Sequence, residues 1–314
     1  LCGSGLQAIV STAQLLLLND CDLAVAGGAE SMSRVPYWVP TARFGSKMGD
    51  TQMVDPMVGA LTCPIGDTHM GVTAENVAEQ WGITRAEQDE AAVESHRRAQ
   101  RAIEENRFGD QIVDIELKTR KGVTVYNTDE HVRFDCTLAD MKKLRTVFKK
   151  DGTVTAGNAS GINDGASAIV VASGSAVEQY GLTPIAEVVS YAQSGLDPKV
   201  MGLGPVEAVT RALDKAELAT SDIDVYELNE AFAAQALGVI HCLADEHNVP
   251  VSSILDKANV NGGAIALGHP LGASGNRILV SLIHELNRSN GQYGVASLCV
   301  GGGMGTAVVI KSIA

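Results

Sequence analysis

The chain has no apolar run approaching the ~20 residues of a membrane-spanning helix; the longest stretches, such as Leu15 to Leu18 with its neighbours, are far shorter. No basic-then-apolar leader opens it. It lacks a positive balance, since 24 Lys and Arg stand against 37 Asp and Glu for a formal net charge of -13. That argues against a broad nucleic-acid or anionic-membrane surface, so any cationic ligand-binding charge has to be local. The six cysteines (Cys2, Cys21, Cys63, Cys136, Cys242, Cys299) have no short paired spacing, which suggests neither a CxxC metal site nor a disulfide framework. No G-x-S-x-G occurs, which weakens a serine hydrolase. The run Gly301 to Gly303 is not followed by the Lys-Ser/Thr of a P-loop. These features lead us to expect a soluble protein of a reducing, cytoplasmic compartment, or of mitochondria or another organelle if a targeting segment precedes Leu1.

With 45% hydrophobic residues in 314, the chain can bury one large core or two joined ones. Helical and strand patterns alternate along it. A helix-like run from Leu6 to Leu18 leads to a buried strand, Cys21 to Ala26, which Gly27-Gly28 is expected to end. The charged stretch from Glu75 to Arg107 reads as helical, with a T-x-x-E capping box at Thr84 and Glu87. Gln111 to Val125 reads as exposed strand, and Ala168 to Ala172 as a buried one. The class is α/β.

The chain also echoes itself. GHPLGASGNRILVSLIHEL from Gly268 repeats the layout of LCGSGLQAIVSTAQLLLL, a Gly/Ser turn followed by an amphipathic helix. Each helix then leads to a glycine-ended strand, DLAVAGG and GVASLCVGGG, with chance resemblance as the alternative. The second unit has a run from about Pro184 to Leu267 before its turn, whereas the first has one residue. Equal units would therefore place about 80 further residues before Leu1. On that expectation the 314 residues alone are unstable or inactive.

Chemistry concentrates at three glycine-rich places. Cys2 stands before a helix, where unpaired N–H groups and the helix dipole are expected to lower its thiol pKa; a buried structural cysteine is the alternative. His269 sits between Gly268 and Pro270, suited to act as acid, base or hydrogen-bond donor. Cys299 ends a strand ahead of three glycines whose N–H groups suit an oxyanion hole, with a phosphate cradle as the rival reading. Two cysteines and a histidine on glycine turns suggest acyl-thioester chemistry.

These segments resemble the thiolase family. The resemblance is carried by LCGSG at Cys2, GGAESMS at Gly27, HMGVTAENVA at His69, TVTAGNASGINDGA at Thr153, NEAFA at Asn229, NVNGGAIALGHPLGASG at Asn259 and CVGGGMG at Cys299, in family order. It implies two similar βαβαβ-type halves in a five-layered α-β-α-β-α arrangement, with a loop domain inserted and the first strands of the N-terminal half missing. Residues 1–31 and 162–182 would belong to the N-terminal domain, 32–161 to the loop domain that covers coenzyme A, and 183–314 to the C-terminal domain.

The resemblance also implies roles. Cys2 would take the acyl group and Cys299 would remove the α-proton of acetyl-CoA. His269 would activate Cys2 and hold the thioester oxygen, with Asn229 positioning a water beside it, while the N–H groups of Cys2 and Gly301 would form a second hole. Arg133 and Phe148 match the surface over CoA, Ala156 and Ser160 its pantetheine arm, and His69 and Met70 the acyl end, with Leu61 and Phe232 nearby.

The five basic residues of MKKLRTVFKK fit the CoA phosphates or an ordinary solvated face. HMG at His69 and NTDEHVRFD favour condensation of two acetyl-CoA, whereas RFGSKMGD and LRTVFKKDGTVTAGNASG also resemble degradative 3-ketoacyl-CoA thiolases. Expected substrates are therefore acetyl-CoA and 3-ketoacyl-CoA, with no metal or other cofactor, no nucleic acid and no membrane, in a homodimer or homotetramer. A ketosynthase would not show Cys299 in CVGGGMG, and an inactive acyl-CoA or lipid-binding relative would be expected to lose Cys2, His269 or Cys299. His241, Cys242 and His247 have a spacing that suits no common zinc site.

Overall fold

The computed structural model describes residues 1–313. Helix α1 (Ser4–Leu17) forms where Leu6, Ile9, Val10, Ala13 and Leu16 recur on one face and are buried. Strand β1 (Leu23–Ser31) follows and pairs antiparallel with β6 (Asp164–Ala172). Contrary to the sequence expectation, β1 does not stop at Gly27-Gly28 but runs on to Ser31. Packing explains those glycines better than a turn does: a Cβ on Gly28 would lie 1.9 Å from the Gly272 carbonyl oxygen.

Everything between β1 and β6 is an excursion from this ribbon. It comprises α2 (Pro56–Ala60), a small hairpin of β2 (Thr62–Cys63) and β3 (Thr68–His69), α3 (Met70–Trp81), α4 (Arg85–Glu104), an exposed hairpin of β4 (Ile115–Thr119) and β5 (Gly122–Tyr126), and α5 (Leu138–Lys142). Glycine82, in the left-handed region, closes α3, and the expected Thr84–Glu87 capping box opens α4.

After α6 (Gly174–Tyr180), the second half contains β7 (Ala186–Gly195), α7 (Gly204–Ala216), β8 (Val225–Leu228), α8 (Ala233–Glu246), α9 (Ser252–Leu255), α10 (Ala264–Leu267), α11 (Leu271–Ser289), β9 (Tyr293–Val300) and β10 (Met304–Ser312). Its sheet has the order β7-β10-β9-β8, with β8 and β9 parallel and the other pairs antiparallel. One face packs on α7 and α8 through Leu213, Tyr226, Val239, Leu243 and Val309. The other packs on α1 and α11 through Leu6, Ile9, Val225, Ile278, Leu282 and Val308, and Ala26 of β1 closes this core from beyond.

The succession is helices, four-stranded sheet, helix pair, two-stranded ribbon. These are four of the five layers that the resemblance implies. The outer face of the ribbon stays open, with Val25 and its partner Val170 exposed at 71% and 61%.

The internal echo is structural. Gly5 of α1 and Gly275 of α11 occupy matching places and lie where the helices touch: a Cβ on Gly5 would come 2.8 Å from Asn276 N, and one on Gly275 2.4 Å from Leu6 N. Each helix then feeds a strand that pairs antiparallel with a later one, β1 with β6 and β9 with β10.

Candidate active site

The crossing of α1 and α11 sets the site. A Cβ on Gly5 would also fall 2.8 Å from the Gly272 carbonyl oxygen. Cys2 and His269 each stand three residues before these touching glycines. The helix pair therefore brings both to one end, and the loop after β9 supplies the third element. The backbone N–H groups of Cys2 and Gly301 lie close enough to the Cys2 sulfur to favour its thiolate, and a Cβ on Gly301 would lie 3.3 Å from Met70 Sδ.

Burial dominates the Cys2 thiol and raises its pKa, although those two N–H groups oppose the shift. This corrects the expectation of a lowered pKa. Helix α1 begins at Ser4 behind Gly3, so the helix terminus does not outweigh the loss of water around the sulfur. Cys2 is thus a thiol at rest and needs a base.

His269 is 4% exposed, and Gly268 before it takes φ +96, a conformation that favours glycine. Its backbone N–H donates to Asn163 Oδ1 at 3.0 Å. Its Nδ1 lies 2.7 Å from Ser274 Oγ, whose own proton goes to the Pro270 carbonyl at 3.0 Å. With that proton committed, the imidazole hydrogen is assigned to Nδ1, which leaves Nε2 an acceptor. Asn229 Nδ2 is 3.4 Å from Nε2, while Asn229 Oδ1 is buried with no partner among the described residues. Burial, followed by the charge of Arg277, lowers the His269 pKa to about 4.

Cys299, 2% exposed, lies in a buried cluster with Cys63, Met70, Ala74, Met201 and Phe232, against which Phe148 packs. Burial first, and then the neighbouring Cys2, pushes its thiol far above the ordinary range. The His69 ring stacks on Phe148 at 4.8 Å between centroids, and Phe148 meets Phe232 edge-on at 6.3 Å. His69 also caps α3, its Nδ1 accepting from Gly71 N–H at 3.1 Å. A Cβ on Gly71 would sit 2.3 Å from the Phe148 ring, so this wall requires glycine there.

Of the other expected residues, Ser160 is tied to the Asn229 segment by its N–H to the Ala231 carbonyl at 3.0 Å, and Leu61 is half-buried, its carbonyl accepting from Met70 N–H at 2.8 Å. Ala156 is exposed, as are Arg133, Lys142, Lys143, Arg145 and Lys150, while Lys149 pairs with Glu79 at 3.0 Å. This basic group stands at the surface, apart from the buried wall. The segment His241 to His247 serves packing: Cys242 packs against the α7–α8 core beside Trp81, and His247 Nε2 lies 3.0 Å from Thr210 Oγ1.

Sequence reading missed the residues that hold these groups. Asn163 and Ser274 fix His269. Glu230, largely buried, accepts from Ser95 Oγ at 2.7 Å, Asn259 Nδ2 at 2.9 Å and Ile265 N–H at 3.3 Å, joining the Asn229 segment to the loop that carries His269. The available signal was a carboxylate inside the apolar NEAFA segment.

Residues 1–175 match the family model for the thiolase N-terminal domain, and residues 182–312 that for the thiolase C-terminal domain. The chain belongs to the thiolase family. Among similar thiolases, it is 55% identical to the beta-ketothiolase BktB of Cupriavidus necator over 100% of this chain and 78% of the relative. It is 50% identical to an acetyl-CoA acetyltransferase of the same organism, over 99% and 77%. It is 48% identical to the mitochondrial 3-ketoacyl-CoA thiolase of Homo sapiens, over 100% and 77%. The fold matches the solved acetyl-CoA acetyltransferase of Syntrophomonas wolfei with a TM-score of 0.95 at 44% identity, over 99% of this chain and 78% of that one. No helix among the described residues is long and apolar enough to cross a membrane.

Two buried histidines give this thiolase a defined acid response. Burial first lowers both His96 and His269 to about 4 from an ordinary 6.5. Between those values the unfolded chain binds more protons than the folded one, so stability falls as pH drops from about 6.5 to about 4 and loses nothing further from these groups below that. Each contributes about 1 kcal/mol per pH unit inside the window. Urea midpoints at pH 7 and pH 5 should show the loss, and His96→Gln should lessen the dependence; an unchanged slope in that variant would count against it.

Proposed function

We propose that the protein transfers acetyl groups between coenzyme A thioesters through an acyl-cysteine, condensing two acetyl-CoA into acetoacetyl-CoA and cleaving it in reverse. The reading is supported by Cys2 next to Gly301 and Cys299, and by the His269–Asn229 pair, which the Asn229 N–H ties at 3.0 Å to the Ser297 carbonyl on the strand that carries Cys299, beside an aromatic wall. His269 Nε2, an acceptor at rest, takes the Cys2 proton as the thiolate attacks the thioester carbonyl. The N–H groups of Cys2 and Gly301 stabilise the tetrahedral oxyanion, and CoA leaves as its sulfur regains a proton. Cys299, once its own proton has passed to His269 Nε2, removes the α-proton of a second acetyl-CoA. The resulting enolate oxygen is held by that Nε2–H and by Asn229, its carbon attacks the acyl carbonyl on Cys2, and the C–S bond breaks as the Cys2 sulfur takes the proton back from His269.

Arg133 and the basic stretch face the CoA phosphates, and Ala156 and Ser160 face the pantetheine arm. Residues 32–161 act as the covering loop domain. Leu61, His69, Met70, Phe148 and Phe232 bound the acyl end, and the burial of Met70 and Phe232 to 7% and 8% supports a short acyl group. A homodimer or homotetramer belongs to this proposal, supported by the exposed Trp38, Phe44 and Met48.

The second reading, a degradative thiolase for longer chains, is supported by likeness to a 3-ketoacyl-CoA thiolase. Thiolysis of 3-ketoacyl-CoA substrates of increasing length separates the two. We expect kcat/KM to be highest for acetoacetyl-CoA and about tenfold lower once the chain outgrows the wall. A rise with chain length would select the second reading.

A further inference from the structure

Arg277 on α11 and Glu227 on β8 carry buried polar atoms that the reaction scheme does not use. Strand alternation in β8 puts Val225, Glu227 and Asn229 on the face toward α11, as the packing of Val225 against Ile278 and Leu282 shows. On α11, Arg277 stands one turn after Ser274, the residue that holds His269 Nδ1. Among the described residues, Arg277 Nη1 and Nη2 and Glu227 Oε1 are buried without a hydrogen-bond partner. Buried polar groups are normally paired, so a guanidinium and a carboxyl oxygen that are both buried without partners call for a reason.

We propose that Arg277 is a positioning residue for proton transfer, its buried charge keeping the His269 imidazole neutral at rest, and that Glu227 is the counter-charge that relaxes this hold when it ionises. The inference rests on the reading of His269 as the base for Cys2. Physically, a like charge in a dry site disfavours imidazolium, so the proton taken from Cys2 is passed on to the departing CoA sulfur instead of resting on His269.

The surroundings support this on every side. Around His269 stand Asn163, Asn229 and Ser274, all uncharged, leaving Arg277 as the charge that acts on it. Around Arg277 stand Glu227 and the half-buried Asp129, both of which burial pushes toward their neutral forms. Glu227 is raised to about 8 by burial, which outweighs the attraction of Arg277, with Glu230 and Glu285 adding repulsion. Arg277 is therefore not neutralised by Glu227 below that pH.

The test reads the His269 titration directly by imidazole NMR, without relying on turnover. Arg277→Gln should raise its midpoint by about one pH unit, whereas Arg277→Lys, which keeps the charge, should leave it near the wild-type value. Separately, the rate of Cys2 alkylation by iodoacetamide should show an inflection near pH 8 in the wild type, reporting Glu227, and Glu227→Gln should remove it. Equal shifts in the Gln and Lys variants, or no shift in either, would overturn the proposal. If Arg277→Gln does not fold, an alkylation inflection that survives in Glu227→Gln overturns it as well. The underlying reading fails differently: His269→Asn would then still acylate Cys2 at the wild-type rate, whatever the NMR midpoints show.

Discussion

Replacing Cys299 by alanine should leave Cys2 able to accept an acetyl group from acetyl-CoA while condensation falls by about 10²- to 10⁴-fold. The two half-reactions ask for different groups. Acyl transfer needs the Cys2 sulfur, the unprotonated Nε2 of His269 and the N–H groups of Cys2 and Gly301, none of which belongs to the Cys299 side chain. Carbon–carbon bond formation needs a base for the α-proton, and Cys299 lies in the buried cluster with Met70 and Phe232 where the acyl end is placed. Its strongly raised pKa matters here, because a thiolate formed in so dry a place is a strong base. Cys2→Ala should give the complementary result, with no acyl-enzyme and a loss of about 10⁴-fold or more in both directions. Single-turnover acetylation and steady-state condensation, measured on both variants, check this. A Cys299→Ala protein that condenses but no longer acylates Cys2 would reverse the assignment.

The second large effect is expected far from any reacting atom. Gly28→Ala would put a methyl group 1.9 Å from the Gly272 carbonyl oxygen, 2.9 Å from its carbonyl carbon and 3.1 Å from Ala273 Cα. All three are backbone atoms of the first turn of α11, so no side chain can swing aside. Relief requires β1 to lift off α11, which opens the core where Ala26 meets Leu6, Ile278 and Leu282. We expect a cost of about 3 kcal/mol or more, a large share of a typical stability of about 5 to 15 kcal/mol. Activity should fall with it, because Gly272 lies three residues from His269. Gly59→Ala is the control: nothing lies within 4 Å of its Cβ position, so denaturant midpoints should barely move. Equal midpoints for the two variants would remove close packing as the reason for Gly28.

What the sequence made legible follows from where the information lies. The helices α1 and α11, the Thr84–Glu87 capping box and the paired glycine turns are written in local spacing, and all are present. Cys2, His269 and Cys299 could be singled out because they sit in short glycine-rich segments, whereas Asn229, in NEAFA, came only with the family resemblance. Gly27-Gly28 misled because glycine ends many strands, whereas here it admits the backbone of a helix some 240 residues later. The Cys2 thiol misled for a related reason: the helix terminus is visible in sequence, but the burial that outweighs it is not. Asn163, Ser274, Glu230, Glu227 and Arg277 acquire meaning only from neighbours distant in the chain, such as Asn163 against His269 and Ser95 against Glu230.

The residue that carries the acetyl group decides the matter most directly. The protein exposed to acetyl-CoA, quenched in acid and digested should yield one acetylated peptide, with the group on Cys2 and released by added CoA. An acetyl group on Cys299 or on any other residue, or none on a protein that still turns over, would contradict Cys2 as the nucleophile.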